Sequence, residues 1–379
     1  MPPEGPETGC PEPGTFVAWL ASKDSGWPVL GETLWRQSGQ VRSMSEDTLH
    51  RETVPIPTDQ VGYLIATAAR APSVHNTQPW RFKVSRDAIE LYADQRRKLR
   101  VDPAGREMLI SCGAALFGLR LAIRSLGYQP VTDLLPDPAR WRLLARVRLG
   151  RSVPVSEAER RMLEAIPHRH THRGPFAAGP LPKGLLAGLQ HDALAEGATL
   201  VHVERALSYQ QLTDIVNVVG RRQDLDPVAQ AEVRRWTRAV GSAARDGVPA
   251  QAFEPQAFPA AASRQHGRLR QRDFDLGRGL GLLATGGPPA AATAILVTPG
   301  DRRADWLRAG QGLHRLLAHA ATRWTFASLH SQPLEAAAIR SEIRHRLKLP
   351  GTPQMLLQLG LARTTQATAR RPPPELMEP

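Results

Sequence analysis

Two short stretches of this chain hold side chains whose types and spacing could do chemistry. The first, Ala71-Pro72-Ser73-Val74-His75-Asn76-Thr77-Gln78-Pro79-Trp80, packs small polar groups, two prolines and an aromatic between two patterned segments. Amides and hydroxyls in so stiff a frame suit recognition of a flat heteroaromatic ring with alternating donors and acceptors. A plainer reading is a turn whose Asn and Ser cap backbone groups, and composition does not choose between the two. The second stretch is His168-Arg169-His170-Thr171-His172-Arg173-Gly174-Pro175-Phe176. Arg169, Thr171 and Arg173 alternate, so an extended chain puts all three on one side. Two guanidinium forks and a hydroxyl make a clamp for a phosphate. A metal site on His168, His170 and His172 lacks carboxylate or thiolate partners and has cations for neighbours; a basic surface strand is the bland alternative.

Other signals fail on inspection. Gly277-Arg278-Gly279-Leu280-Gly281-Leu282 places Leu282 where a dinucleotide fingerprint needs its third glycine. There is no Walker loop, no His-Glu-x-x-His, no Gly-x-Ser-x-Gly and no Cys with a His partner. Covalent or metal-assisted hydrolysis has no visible machinery.

The elements that must position these stretches follow from periodicity. Val61, Leu64, Ile65, Ala68 and Ala69 recur at helical spacing and the helix stops at Pro72. Trp80 to Val84 and Ile89 to Tyr92 read as a β-hairpin. Cys112 to Leu126 is an amphipathic helix ended by Gly127, and Leu143 to Leu149 alternates as a strand. The same grammar then repeats: helix Leu185 to Leu194, strand Thr199 to Val203, helices Leu207 to Val219 and Val228 to Val240, strand Thr293 to Val297, helix Asp305 to Arg323. Cys112 to Leu119 laid over Ala309 to Leu316 shares one Gly and two Leu positions, which suggests an internal duplication of an α+β unit. Gly241 to Arg272 lacks a period and is expected to be a lid-like insertion. Residues 1–43 are Pro-rich and expected to be disordered; patterned sequence starts just after Met44, which reads as an alternative start.

The chain has 379 residues, 41% of them apolar and 22% charged, enough to bury a sizeable core. No window approaches eighteen consecutive apolar residues and only Cys10 and Cys112 are present, so a soluble, cytoplasmic protein is expected. The net charge of +13 comes mostly from Arg interspersed with acids. With no zinc finger, helix-turn-helix or aromatic stacking array, a nucleic-acid partner is not the expectation.

At these residues the chain resembles the nitroreductase superfamily of flavoproteins, and more narrowly its fused Acg-like branch. Pro72-Ser73-x-x-Asn76-x-Gln78-Pro79-Trp80 resembles the family's flavin-facing loop, and Arg169-x-Thr171-x-Arg173 followed by Phe176 resembles its phosphate-binding start. Asp305 to Gln311, Ser331-Gln332-Pro333-Leu334-Glu335 and Arg370-Arg371-Pro372 look like landmarks of that branch, and the resemblance runs from about Ile56 to Leu376. It implies an α+β sandwich in which two like subunits build FMN sites across their interface. Here they would be two halves of one chain, 44–165 and 166–379, forming a monomeric pseudo-dimer. The first half has no phosphate clamp between Ser45 and Pro57, and the second has no Asn-x-Gln-Pro-Trp before Thr199. One composite site would survive.

The roles implied by the resemblance are these. Arg169, Thr171 and Arg173 hold the FMN phosphate with Arg371, Arg370 compensating for Ala369 at the family's first basic position. Pro72, Ser73, Asn76 and Gln78 face the ring and ribityl chain, and the backbone at Ser331 or Gln332 meets the flavin N5. No side chain is assigned a catalytic role and no metal is expected, since the flavin carries the chemistry. The implied activity is electron transfer from NADH or NADPH to a small flat acceptor such as a nitroaromatic or quinone. The rival is FMN storage with little turnover, and a basic nucleic-acid-associated protein is a weaker third.

Overall fold

A computed structural model describes residues 53–174, 176–253, 269, 272–274, 276, 290–362 and 368–378. The chain divides into two units, Met1–Arg51 and Glu52–Pro379. The first, with the expected disorder of 1–43, lies outside the described residues, as does 254–268 of the expected insertion. Everything below concerns the second unit.

Its first part runs α1 (Val61–Ala69), β1 (Trp80–Val84), β2 (Ile89–Ala93), α2 (Arg106–Ser125), β3 (Tyr128–Leu134), β4 (Leu143–Ser152) and α3 (Glu157–Ala165). Helix α2 begins six residues before the periodic stretch, because Arg106 and Glu107, charged residues that read as flanks, are inside the fold. All of α2 but Arg120, Arg124 and Ser125 is buried, and it ends as expected at Gly127, whose φ of +82° suits glycine. Its 18-residue mean hydropathy of 1.4 would suit a membrane span, but 83% of that window is packed inside the protein. Strand β3 is one of the elements the pattern did not show, along with Thr325–His330, Ala337–Arg346 and Thr352–Leu361 further along; Pro130 interrupts it and none of its residues is fully buried. Ser156 and Glu159 form a capping box that starts α3.

The second part adds α4 (Leu185–Ala195), β5 (Thr199–His202), α5 (Ala206–Asp224), α6 (Pro227–Trp236), the short parallel pair β6 (Thr237–Arg238) and β7 (Val248–Pro249), β8 (Ala292–Thr298), α7 (Arg303–Ala321), β9 (Thr325–His330), α8 (Ala337–Arg346), β10 (Thr352–Leu361) and α9 (Pro373–Leu376). Asp226 caps α6 through the Val228 N–H at 2.8 Å, with Pro227 at its first position. That helix ends at Trp236 rather than Val240, because Thr237 turns into the β6 pairing.

The two larger sheets share one topology. Strands order β1-β2-β4-β3 in one and β5-β8-β10-β9 in the other, antiparallel throughout, each with a long helix between its second and third strands in the chain. The architecture is α+β. Helices α2 and α7 pack on each other in the middle, and their register repeats. A Cβ on Gly113 would stand 2.2 Å from the Leu307 carbonyl oxygen, and one on Gly310 would stand 1.9 Å from that of Ile110. The same spacing in sequence separates Gly113 from Gly310, Ile110 from Leu307 and Phe117 from His314, whose rings touch edge to face at 5.4 Å. The cores interlock there: Leu307 belongs to the cluster of the first sheet with Leu64, Phe82 and Leu116, and Ile110 to that of the second with Leu296, Leu316 and Leu357.

Candidate functional site

A cleft lies where the first stretch, the start of α2, the second stretch and the end of β9 converge. Pro72, Ser73, Val74 and His75 line one wall, with Glu107, Ile110 and Ser111 of α2 beside them. Thr171 and Arg173 enter from the second stretch, Ser331 and Gln332 from the turn after β9, Arg272 from the end of the insertion and Phe274 from just beyond it. Six of the ten residues expected at the site meet in this cleft: Pro72, Ser73, Thr171, Arg173, Ser331 and Gln332.

Asn76 and Gln78 do something else. Asn76 donates from Nδ2 to the carbonyls of Gly247 (2.9 Å) and Ala369 (3.1 Å). Gln78 donates from Nε2 to Arg245 O (2.7 Å), while its Oε1 accepts from the Arg371 N–H (2.9 Å). The Gln78 N–H is held by Ser73 Oγ at 3.0 Å. These buried amides stand behind the cleft wall and staple two distant backbone segments to the loop. In this arrangement the two amides position the loop by pairing backbone groups that burial would otherwise leave unpaired, while Asn76 Oδ1 has no partner. The loop reaches them by taking positive φ at His75 (50°), Asn76 (55°) and Gln78 (50°), a sparsely populated conformation outside glycine.

The second stretch runs alongside β9, where Thr171 bridges Ala327. The histidines do not share one face: His170 packs on Phe326 (4.5 Å) and His172 on Phe176 (4.6 Å), while His168 is exposed and stacks on Trp324. Burial pushes the His170 imidazole down to about 4. Among the described residues no three metal-ligating side chains gather. Arg169 is buried and donates from Nη2 to Arg70 O at 3.0 Å; its Nε and Nη1 have no partner. Arg173 donates to Thr171 O at 3.2 Å and lies over the Phe253 ring.

Arg371 is turned away from this group. Its Nε pairs with Glu375 Oε2 at 3.2 Å and its Nη2 with Glu375 O, so the last carboxylate before α9 ends takes the charge expected for a phosphate. Its neighbour Arg370 points inward, donating to Ala71 O at 3.2 Å, with Nε unpartnered. Arg70, Arg169, Arg173 and Arg370 thus form one positive knot. Burial first, and then each other's charge, pull Arg169 down to about 10 and Arg370 well below the usual arginine range. Burial alone brings Arg173 to about 10. Among the described residues none of the four has a carboxylate partner.

Two wall residues carried no sequence signal. His75 is buried with Nε2 unpartnered, and burial, Arg272 and Arg173 keep its imidazole neutral by lowering its pKa well below the ordinary value. Glu107 is 2% exposed, and burial followed by the Glu335 charge raises its carboxyl to about 8 against the opposing pull of Arg106. Arg272 is ion-paired with Glu335 at the rim, and Gln223 Nε2 adds a bond to the same carboxylate at 2.6 Å.

Comparison with known proteins places this geometry in context. Residues 52–100 match the model of the nitroreductase family. The chain is 34% identical over 312 residues to "Putative NAD(P)H nitroreductase Rv3131" of Mycobacterium tuberculosis (strain ATCC 25618 / H37Rv), covering 80% of this chain and 86% of that protein. "Putative NAD(P)H nitroreductase acg" of the same strain is 27% identical over 322 residues, covering 84% and 95%. A solved nitroreductase with bound FMN from Desulfitobacterium hafniense DCB-2 overlaps with a TM-score of 0.34 at 13% identity, over 56% of this chain and 94% of that one, a likeness too slight to bear on the site.

Proposed function

The chain belongs to the nitroreductase family of oxidoreductases, and on that premise we propose that it binds FMN in the cleft and passes electrons from NADH or NADPH to a flat acceptor, a nitroaromatic or a quinone. The observation that carries this reading is the positive knot of Arg70, Arg169, Arg173 and Arg370, of which Arg173 lines the cleft. Two guanidiniums several ångströms apart repel by about 2 kcal/mol at the effective dielectric near a protein surface, so four without a carboxylate among them are costly. A phosphate offsets that cost, and the buried unpartnered nitrogens of Arg169 and Arg370 are donors of the kind it takes. The residues present therefore fit a phosphorylated cofactor. Thr171 adds a hydroxyl, Pro72 to His75 supply a stiff wall for a planar group, and Phe274 with the Arg272–Glu335 pair limits water at the rim. Bound FMN supplies the two-electron carrier between nicotinamide and acceptor. In this reading the two like sheets are fused partners sharing one composite site, with the wall drawn from the first half and the clamp from the second.

FMN titration followed by quenching of its fluorescence tests the clamp. Arg169→Ala is expected to weaken binding by about 1.5–3 kcal/mol, the scale of hydrogen bonds to a charged group. Unchanged affinity refutes the placement. Anaerobic mixing of the yellow protein with NADH or NADPH then tests turnover: bleaching supports the oxidoreductase, and colour that never bleaches favours storage.

A further inference from the structure

Glu107 is a carboxyl set into the cleft wall and not used by the reading above. It sits in the first turn of α2, 2% exposed, with Oε2 lacking any partner. Its Oε1 has only a long contact, 3.4 Å, to Arg106 Nη2. The Arg106 guanidinium is engaged elsewhere, donating from Nη1 to the backbone oxygen of Gln354 at 2.9 Å and to its Oε1 at 3.1 Å. The charged groups around Glu107 come from every side, two anions and two cations. Arg106 and Asp102 belong to α2 and the turn before it, Glu335 to the turn after β9, and Arg272 to the insertion. Asp102 is occupied by the Met108 N–H at 3.1 Å, and Glu335 by Arg272 and Gln223. His75 and Arg173 face the same cleft from the two stretches.

With cations and anions balanced, desolvation decides, and a buried carboxyl without its full set of donors is better off neutral. A neutral carboxyl has one O–H to give. We propose that Glu107 is a binding residue that donates this hydrogen bond into the cleft, to the carbonyl oxygen of a quinone-type acceptor. A quinone oxygen is a good acceptor and the oxygens of a nitro group are poor ones, so the donor favours quinones within the acceptor class of the proposed function, on which this inference rests. The site rejects an anionic ligand at this point once Glu107 loses its proton.

The test uses the full chain as purified, with menadione as the quinone probe and binding read by quenching of protein fluorescence. Glu107→Gln keeps a donor that does not titrate, and Glu107→Ala removes it. Wild type is expected to bind menadione about tenfold more weakly at about pH 9.5 than at about pH 6, as the carboxyl ionises. Glu107→Gln should show no such fall, and Glu107→Ala should be about tenfold weak at both values. A wild type and a Glu107→Gln variant with the same pH dependence overturn the proposal, as does full affinity in Glu107→Ala. An infrared pH titration gives a reading independent of any ligand: a protonated-carboxyl band present near neutral pH in wild type and missing in Glu107→Gln supports it, and its absence from wild type refutes it. If menadione and the infrared band behave as expected while the protein takes up no FMN, the flavin reading falls and the role of Glu107 stands.

Discussion

Gly113→Ala is a direct test of the central helix crossing. The new Cβ would lie 2.2 Å from the Leu307 carbonyl oxygen, against an ordinary contact of 3.4 Å or more, and the obstacle is backbone. Helices α2 and α7 must then part by about 1 Å. The close seam runs from Ile110 to Gly118 on α2, about 12 Å at 1.5 Å per residue, and is about 8 Å wide, so parting opens a void of about 100 Å³. At about 24 cal/mol per Å³ that costs about 2.4 kcal/mol, against about 1 kcal/mol gained because alanine favours a helix. A net loss of about 1–3 kcal/mol is expected in urea unfolding. Gly310→Ala, whose Cβ would stand 1.9 Å from Ile110 O, should cost a similar amount. The double variant should cost less than the two together, since one separation relieves both clashes. Gly62→Ala is the control: nothing lies within 4 Å of its Cβ, and it should be neutral or stabilising by up to about 1 kcal/mol. A Gly113→Ala protein as stable as wild type, or full additivity in the double variant, refutes the close crossing.

Two further outcomes follow from buried polar groups. Gln78→Ala removes an amide that ties Arg245 O and the Arg371 N–H to the loop, and should lower stability by about 2–4 kcal/mol, read as a shift of the urea midpoint at unchanged slope. His314 is buried, with its ring Nδ1 2.7 Å from Ala114 O, and burial with the nearby Arg169 lowers its pKa to about 3. The unfolded chain takes up a proton near pH 6.5 that the folded chain refuses until about pH 3, so stability is whole above pH 6.5 and falls as pH drops through that window, by about 4–5 kcal/mol in all. His170 adds in the same direction. His314→Asn, whose amide can donate to the same carbonyl, should flatten the acid limb of a stability–pH curve, and an unchanged slope would contradict the assignment.

The long helices α2 and α7 and the β1–β2 hairpin were legible because burial imposes a period on their residues. The duplication was legible for the same reason: the glycines that align in sequence are those that meet in space. Strand β3 was not, because a half-exposed edge interrupted by Pro130 has no period to show. In the site, Arg169, Thr171 and Arg173 were legible as an alternating motif. Asn76 and Gln78 were legible as special but not in their use, since their partners lie at Arg245, Gly247, Ala369 and Arg371, distances in sequence that no local pattern spans. Glu107 was hidden because an acid in the first turn of a helix ordinarily reads as a partner of the helix dipole, and only the packing around it makes it a wall residue.

Ile110 and Leu307 are each lodged in the hydrophobic cluster of the other sheet. Each half therefore completes its neighbour's folding, and neither is kept for its own chemistry alone. Removing Ile110 or Leu307 would empty the place its side chain fills in the other cluster, so foldedness is shared between the two sheets.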